Sequence, residues 1–495
     1  MTGWIGDFFR FWWASFYWNF RKTWFRLRGA QRDDCPCQTY GDSGHALDAR
    51  CDAVIPWHQP VRFRRVCPLL TQTKDGWRCG VDAERVRPFW GRAFLHAGAL
   101  LLVLYLAGTL AVFATLRLAH YHTGYLAVLW PGRWRELRVA QEHLYAAQAR
   151  AALDRGNYQE AMLALDMVCQ LNPRNYEAGR ALAGLALAAA QPFISDQIYE
   201  RLLRDVPERR PQTAEAWYRT LLARAAYGQI KPLAAAMLRE DAADRAAWLH
   251  ALLFAARQSG DGAFLATVGP AGPALPEWCT EAIAVEQLLL GKKDAQARAR
   301  LVHPFAQPGA AYLPYFQIDC LLRLGQPDAA NALLDAYGHA VADDDAAFLR
   351  LRVFQAKGWD SLVDSEFENL LQFPISPGLA GKFCGYLAAH PDPRYFARYC
   401  DRLFNHGLEL DAATLPAYQA TYLVATLAGD KVRAGRVLAA ITPFTASDAK
   451  VLRGLGEVLA AGKPDARLTR MLPLVALPTE VVYAIVERLP PVASP

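Results

Sequence analysis

Half of the ten cysteines are gathered between positions 35 and 79: Cys35, Cys37, Cys51, Cys67 and Cys79, with His45 and His58 among them. Thiolates and imidazoles are what a tetrahedral zinc site takes as ligands, and thiolates equally hold iron–sulfur clusters. The stretch from Asp33 to Arg87 is short, loop-rich and weak in helical periodicity, so a metal or disulfide staple would supply what a small core cannot. The spacing is irregular, however. Cys35-Pro36-Cys37 is tighter than the usual two-residue gap, and neither Cys51 nor Cys67 has a close cysteine neighbour. Three readings stand: a structural metal site, with zinc as its cofactor and iron–sulfur as the variant; free thiols; and disulfides, which lead if the region faces an oxidising compartment.

The other residues able to do chemistry are dispersed. Cys169, Cys279, Cys320, Cys384 and Cys400 mostly sit singly inside apolar helical runs and read as small buried hydrophobes. His120 and His122 are two apart, which on a helix points them in different directions, so packing near a membrane explains them better than a metal or haem. The run Asp343-Asp344-Asp345 reads as a solvated helix start favoured by the helix dipole. A phosphate-cradling glycine loop, a His-Glu-x-x-His metal motif and a Gly-x-Ser-x-Gly nucleophile elbow are all missing, so an enzyme is not the expectation.

The elements around these residues divide the chain. Residues 97–116 carry no Asp, Glu, Lys, Arg or His, and twenty helical residues cover about 30 Å, the thickness of a hydrocarbon core. Arg92 and Arg117 bracket this stretch, with Trp90 and Tyr121 as interfacial anchors. The first 28 residues hold twelve aromatic rings interrupted by Arg10, Arg21, Lys22, Arg26 and Arg28, a pattern suited to a helix lying in the membrane interface. Residues 1–138 contain 19 Lys and Arg against 10 Asp and Glu, whereas the remainder contains 35 against 38. The positive excess thus flanks the apolar stretch and fits a bilayer better than a phosphate groove, so nucleic acid is not an expected partner. Its bias favours a cytosolic N-terminus, with the body of the protein on the far side of the membrane.

Beyond the apolar stretch, residues 156–161 read Gly-Asn-Tyr-Gln-Glu-Ala and, after Met162, continue as LALDMVCQLNP to Pro173. Gly156 permits a tight turn between antiparallel helices, Tyr158 packs across them, Ala161 allows close approach and Pro173 ends the second helix. Similar breaks recur near Gln191, Gly228, Gly260, Gly291, Gly325, Gly358, Pro391, Gly429 and Gly462, in steps of 31 to 38 residues that average 34. Between them, apolar and small residues alternate on a helical period, as in EAGRALAGLALAAA from Glu177. This pattern resembles the tetratricopeptide repeat (TPR) family. The resemblance implies an all-α chain: a right-handed TPR-like α-solenoid of about twenty helices, preceded by a single transmembrane helix and a small cysteine-rich N-terminal module. The GPAGPALP segment near Gly269 and FPISPG around Pro374 and Pro377 read as longer loops between helices.

The expected organisation is an aromatic basic interfacial helix over 1–30, the cysteine-rich module over 31–92 and a transmembrane helix over 93–117. A juxtamembrane linker over 118–139, repeats over 140–490 and a tail over 491–495 follow. A solenoid has an extended binding face and no chemistry of its own. The expected function is therefore a membrane-anchored scaffold or adaptor that recruits protein partners, such as other components of a membrane or envelope complex. Tyr158, Asn172, Tyr176 and Arg180 are the candidate protein-binding residues, and Cys35, Cys37, Cys51, Cys67 and Cys79 the candidate metal ligands. The expected location is a bacterial inner membrane, crossed once. The alternatives are a permanent structural subunit of a large membrane complex, or a metal or redox sensor coupled to the solenoid.

Overall fold

A computed structural model of the chain describes scattered positions among the first 61 residues and residues 70–74 and 76–79. From residue 90 onward it describes all but 120, 122, 241–242, 269–274, 306–311, 407 and 491–495. The chain forms two compact units, Met1–Leu144 and Tyr145–Pro495.

In the first unit, Gly6, residues 8–13, Phe16, Tyr17, Phe20, Trp24 and Leu27 are helical. Several of their large side chains, including Phe9, Trp13 and Phe20, face outward. Strand β1 (Leu70–Thr73) pairs antiparallel with β2 (Gly76–Cys79), with Thr73 opposite Gly76. This short hairpin is a local exception in a chain that is otherwise helical among the described residues. Its signal was present in the sequence as a short β-prone run ending in Lys74-Asp75-Gly76, a turn-forming tripeptide.

Helix α1 (Trp90–Leu118) follows, and within it Ala97–Leu118 is the one segment among the described residues long and apolar enough to cross a membrane. Leu101, Leu102, Val103, Leu104, Leu110 and Val112 are all exposed along it. A short helix, α2 (Tyr125–Leu129), returns against its second half. The Thr109 and Tyr125 hydroxyls lie 3.1 Å apart, the Phe113 and Tyr125 rings meet edge-on at 5.5 Å, and the Tyr105 hydroxyl donates to the Leu129 carbonyl.

The boundary between the units falls inside α3 (Trp134–Asp154), which pairs with α4 (Tyr158–Leu171). Pairs then succeed one another: α5 (Tyr176–Ala188) with α6 (Pro192–Asp205), and α7 (Arg210–Ala223) with α8 (Tyr227–Glu240). Next come α9 (Arg245–Ser259) with α10 (Gly262–Val268), and α11 (Glu277–Leu290) with α12 (Asp294–Leu301). They continue as α13 (Tyr312–Arg323) with α14 (Pro327–Tyr337), and α15 (Asp343–Lys357) with α16 (Asp360–Gln372). The last three are α17 (Pro377–Ala389) with α18 (Pro393–His406), α19 (Leu415–Leu427) with α20 (Lys431–Ile441), and α21 (Ala446–Ala461) with α22 (Ala466–Met471). A final helix, α23 (Thr479–Arg488), has no partner of this kind. The second unit is thus all-helical, with successive helices packed in a repeat-like manner.

One turn recurs between paired helices. The residue after the first helix takes the left-handed conformation, and two backbone N–H groups close back onto that helix's last turn. At the first turn these are Gly156 N to Leu153 O, 2.9 Å, and Asn157 N to Ala152 O, 2.8 Å. The same two bonds close the turns at Ala190, Ala225, Gly260, Lys292, Gly325, Gly358 and Gly429. Glycine is the residue that adopts positive φ without strain, and Gly156, at +71°, shows the reason for its use. Ala190, Ala225 and Lys292 hold the position at φ of 57°, 52° and 55°. The break expected at Gly228 therefore lies three residues earlier, and Gly228 itself is inside α8. After several of these turns an Asn or Asp caps the second helix: Asn157 accepts from the Glu160 N–H, Asp261 from Phe264 and Asp430 from Arg433.

The core runs as one apolar cluster from Ala149 to Leu489. Its end sets the geometry of the candidate site. The chain after α22 does not simply add another pair: the 3-10 turn Leu472–Leu474 packs on α5 and α7, and α23 packs on α7 and, most extensively, on α17. Val481 and Ile485 are wholly buried beneath α23.

Candidate functional site

The four residues proposed from the sequence for protein binding occupy the first turns of the array. Tyr158 opens α4 and is 56% exposed. Asn172 caps the end of α4 and accepts a hydrogen bond from the Arg174 N–H at 3.2 Å. Tyr176 opens α5 and packs partly into the core, with the Arg180 guanidinium 5.7 Å and that of Arg209 6.0 Å from its ring centre. Tyr176 and Arg180 are thus brought together, with Arg209 as an addition. Tyr158 stands outside the core.

Of the proposed metal ligands, Cys35, Cys37, Cys51 and Cys67 lie outside the described residues, as does His45. Cys79 is the last residue of β2, and His58 is exposed. Among the described residues no group of three or more His, Cys, Asp or Glu side chains could hold a metal ion. His120 and His122 are also outside the described residues. The five single cysteines of the body are buried. Burial pushes the thiols of Cys384 up to about 11 and of Cys279 and Cys400 up to about 12, which keeps them protonated and unreactive.

Sequence reasoning missed the most developed site. A cavity of about 430 Å³ opens between α9, α13, α15, α17 and α23. One wall is a stack of three rings: His250 of α9 lies 4.4 Å from Tyr483 of α23 and 4.8 Å from Tyr312 of α13, with interplanar angles of 26° and 30°. Phe254 meets Tyr483 edge-on at 4.5 Å, and the Tyr483 hydroxyl hydrogen-bonds that of Tyr218 on α7. Burial drives the His250 imidazole down to about 4, with Arg257 lowering it further, so the stacked ring is neutral at neutral pH.

The polar side of the cavity is a chain of ion pairs across consecutive first helices. Arg257 of α9 grips Glu286 of α11 with two bonds, 3.0 and 3.1 Å, and Asp319 of α13 at 3.0 Å. Arg352 of α15 reaches Asp319 at 2.6 Å, and Arg323 lies 3.5 Å from Glu286. Burial alone would raise the Asp319 carboxyl, but Arg352, Arg257 and Arg323 outweigh it and hold it at about 2. Next along, Lys382 of α17 pairs with Asp344 at 2.8 Å and Asp345 at 2.5 Å, and the Tyr315 hydroxyl donates to Asp345 at 2.8 Å. The aspartate run is a helix start, as expected, yet Asp344 and Asp345 are engaged by Lys382 and only Asp343 faces solvent freely.

Helix α23 reaches this place because α17 is stripped of side chains where the two meet. A Cβ on Gly385 would lie 2.8 Å from the Glu480 Cβ and 3.3 Å from its carbonyl carbon, and one on Gly381 would lie 3.1 Å from the Pro478 Cβ. The signal was visible as two glycines four apart in GLAGKFCGYLAA, one helical face, but not what they face. No protein-family model matches the chain, and no curated protein is similar to it.

Proposed function

We propose that the protein is a membrane-anchored scaffold that recruits or organises partner proteins through a TPR-like, right-handed helical solenoid. The observation that carries this reading is the joining, in one chain, of an outward-facing apolar helix, Ala97–Leu118, to ten successive helix pairs with recurrent turns. An apolar surface of that length is unfavourable in water and matches a bilayer core. The array has many exposed positions and, among the described residues, no cluster that reads as catalytic, which suits recognition. The ring of Tyr176 between Arg180 and Arg209, with Tyr158 and Asn172 close by in sequence, is the proposed protein-binding patch, and its two guanidinium groups favour an acidic partner segment. The proposed topology has the N-terminus in the cytosol of a bacterial cell and the repeats beyond the inner membrane, from the basic bias of residues 1–92. A permanent place in a larger membrane complex is the second reading, supported by the outward rings of Phe9, Trp13 and Phe20, which could pack on other integral subunits.

The test is extraction and capture. The chain is expected to resist alkaline extraction from membranes, and Leu104→Arg, at about 2.5–3.5 kcal/mol against insertion, should weaken that retention. Affinity purification in mild detergent should recover a protein partner that Arg180→Glu reduces. Release of the wild-type chain by alkali alone would overturn the anchor, and an unchanged partner yield in Arg180→Glu would overturn the assigned patch.

A further inference from the structure

The stripe Glu480, Tyr483, Ala484 and Glu487 repeats at helical spacing, forms one face of α23 and lines the cavity, while Val481, Val482, Ile485 and Val486 bury the opposite side. Each basic side chain that lines the cavity is already held by carboxylates: Arg257 by Glu286 and Asp319, Arg352 by Asp319, and Lys382 by Asp344 and Asp345. Glu480 and Glu487 are exposed and have no hydrogen bond or ion pair among the described residues. Three Arg or Lys side chains, Arg257, Arg352 and Lys382, and four carboxylates, Asp319, Asp345, Glu480 and Glu487, line the cavity, and the two carboxylates without such a partner both come from α23. Tyr312, Tyr386 and Tyr483 line the same cavity.

We propose that this cavity binds an organic cation, a primary ammonium or guanidinium on an apolar stem, with its charge at Glu487 and Glu480 and its stem against the tyrosine rings. A carboxylate beside aromatic faces is the arrangement that holds such a group, since the ring quadrupole and the anion both attract it. The volume falls within the range of small-molecule sites. Partial desolvation pushes the Glu487 carboxyl, though exposed, above its ordinary range and Asp319 adds to this, while Arg257, Arg352 and Arg323 oppose it from a distance. An arriving cation would offset that cost by supplying a counter-charge. The same chemistry is offered by a free amine and by a Lys or Arg side chain of a peptide, and the site stands whether or not the protein recruits partners.

The test uses the full-length chain in detergent, titrated calorimetrically with agmatine, with a blocked Lys- or Arg-containing tripeptide, and with glutarate as an anionic control. Saturable binding of a cation is expected, weakened about tenfold or more in Glu487→Gln and further in the double variant with Glu480→Gln. Tighter binding of agmatine identifies a free amine as the ligand, and tighter binding of the tripeptide identifies a side chain. A second measurement needs no variant: carbodiimide coupling of cadaverine to the wild-type chain, read by mass spectrometry, should label Glu487 or Glu480 ahead of other carboxylates. No saturable cation binding up to about 10 mM, several-fold weaker than a millimolar site, would overturn the proposal. So would equal affinity in the double variant, preference for glutarate, or labelling spread evenly over the surface.

Discussion

The seating of α23 on α17 can be tested by adding a single carbon atom. Glycine inside a helix is about 1 kcal/mol less favourable than alanine, so Gly→Ala in open space should stabilise by about that amount. Gly184, in α5, is such a position, with nothing within 4 Å of a Cβ built there. Gly385 has the same propensity term but the opposite surroundings. Its Cβ would lie 2.8 Å from the Glu480 Cβ and 3.3 Å from backbone, closer than side chains pack, so α23 must move. Forcing a methyl into a packed contact costs about 1–3 kcal/mol, which cancels or exceeds the propensity gain. Gly184→Ala should therefore raise stability by about 1 kcal/mol. Gly385→Ala should leave it unchanged or lower it by up to about 2 kcal/mol, the difference of those two terms. Urea titration reads both from the shift in midpoint at constant slope, and limited proteolysis should cleave near Pro478 sooner in Gly385→Ala. If Gly385→Ala stabilises as much as Gly184→Ala, the close approach of the two helices does not exist and the reasoning on the cavity's fifth wall fails with it.

Other perturbations probe the ion-pair chain and the ring stack. Arg257→Met leaves the fully buried Glu286 with only Arg323 at 3.5 Å, and the loss should be about 3–5 kcal/mol by urea denaturation. Adding Glu286→Leu should recover most of it, since an apolar pair replaces a buried charge, and failure to recover would mean that the ion pair itself holds α9 to α11. His250 supplies a pH dependence: its folded value of about 4 lies below the ordinary 6.5, so the unfolded chain takes up the proton first. Its stability contribution is present above about pH 6.5 and is lost as the pH falls toward 4, by about 3 kcal/mol in all. His250→Phe keeps a ring in the stack and should flatten the slope between pH 6.5 and 4; an unchanged slope would assign it to other groups, such as His390, which burial also lowers to about 4.

The sequence disclosed the array because its turns need a residue able to take positive φ, and Gly156, Gly260, Gly325, Gly358, Gly429 and Gly462 mark that need directly. It misplaced the turn of the third pair because Ala225 fills the left-handed position there, held by the Ala226 N–H to Leu221 carbonyl bond. An L-residue in that conformation leaves no mark in composition, whereas the nearby Gly228 draws attention without being needed. The cavity was illegible for a different reason. Its residues come from helices separated by more than 200 positions, and each of Tyr312, Lys382 and Tyr483 has an ordinary helical surroundings in sequence. What identifies them is the return of α23 across the first helices, a long-range contact that no local pattern encodes.

That return also decides how a partner can use the array. If α23 were a cover that a partner displaces, binding would have to replace its burial of Val481, Val482, Ile485, Val486 and Leu489. Five aliphatic side chains at about 1.5–3 kcal/mol each amount to on the order of 10 kcal/mol, against about 8 kcal/mol for a whole micromolar complex. A partner of ordinary affinity would therefore have to bind with α23 in place. The consequence is measurable in a chain ended after Leu477. As an integral part of the fold, α23 should be missed: the truncated chain should lose most of its cooperative unfolding transition and expose Phe254 and Tyr218 to solvent, with bound hydrophobic dye as the readout. A truncated chain with an unchanged melting temperature and a newly gained helix-binding activity would show instead that α23 is a displaceable ligand of its own array.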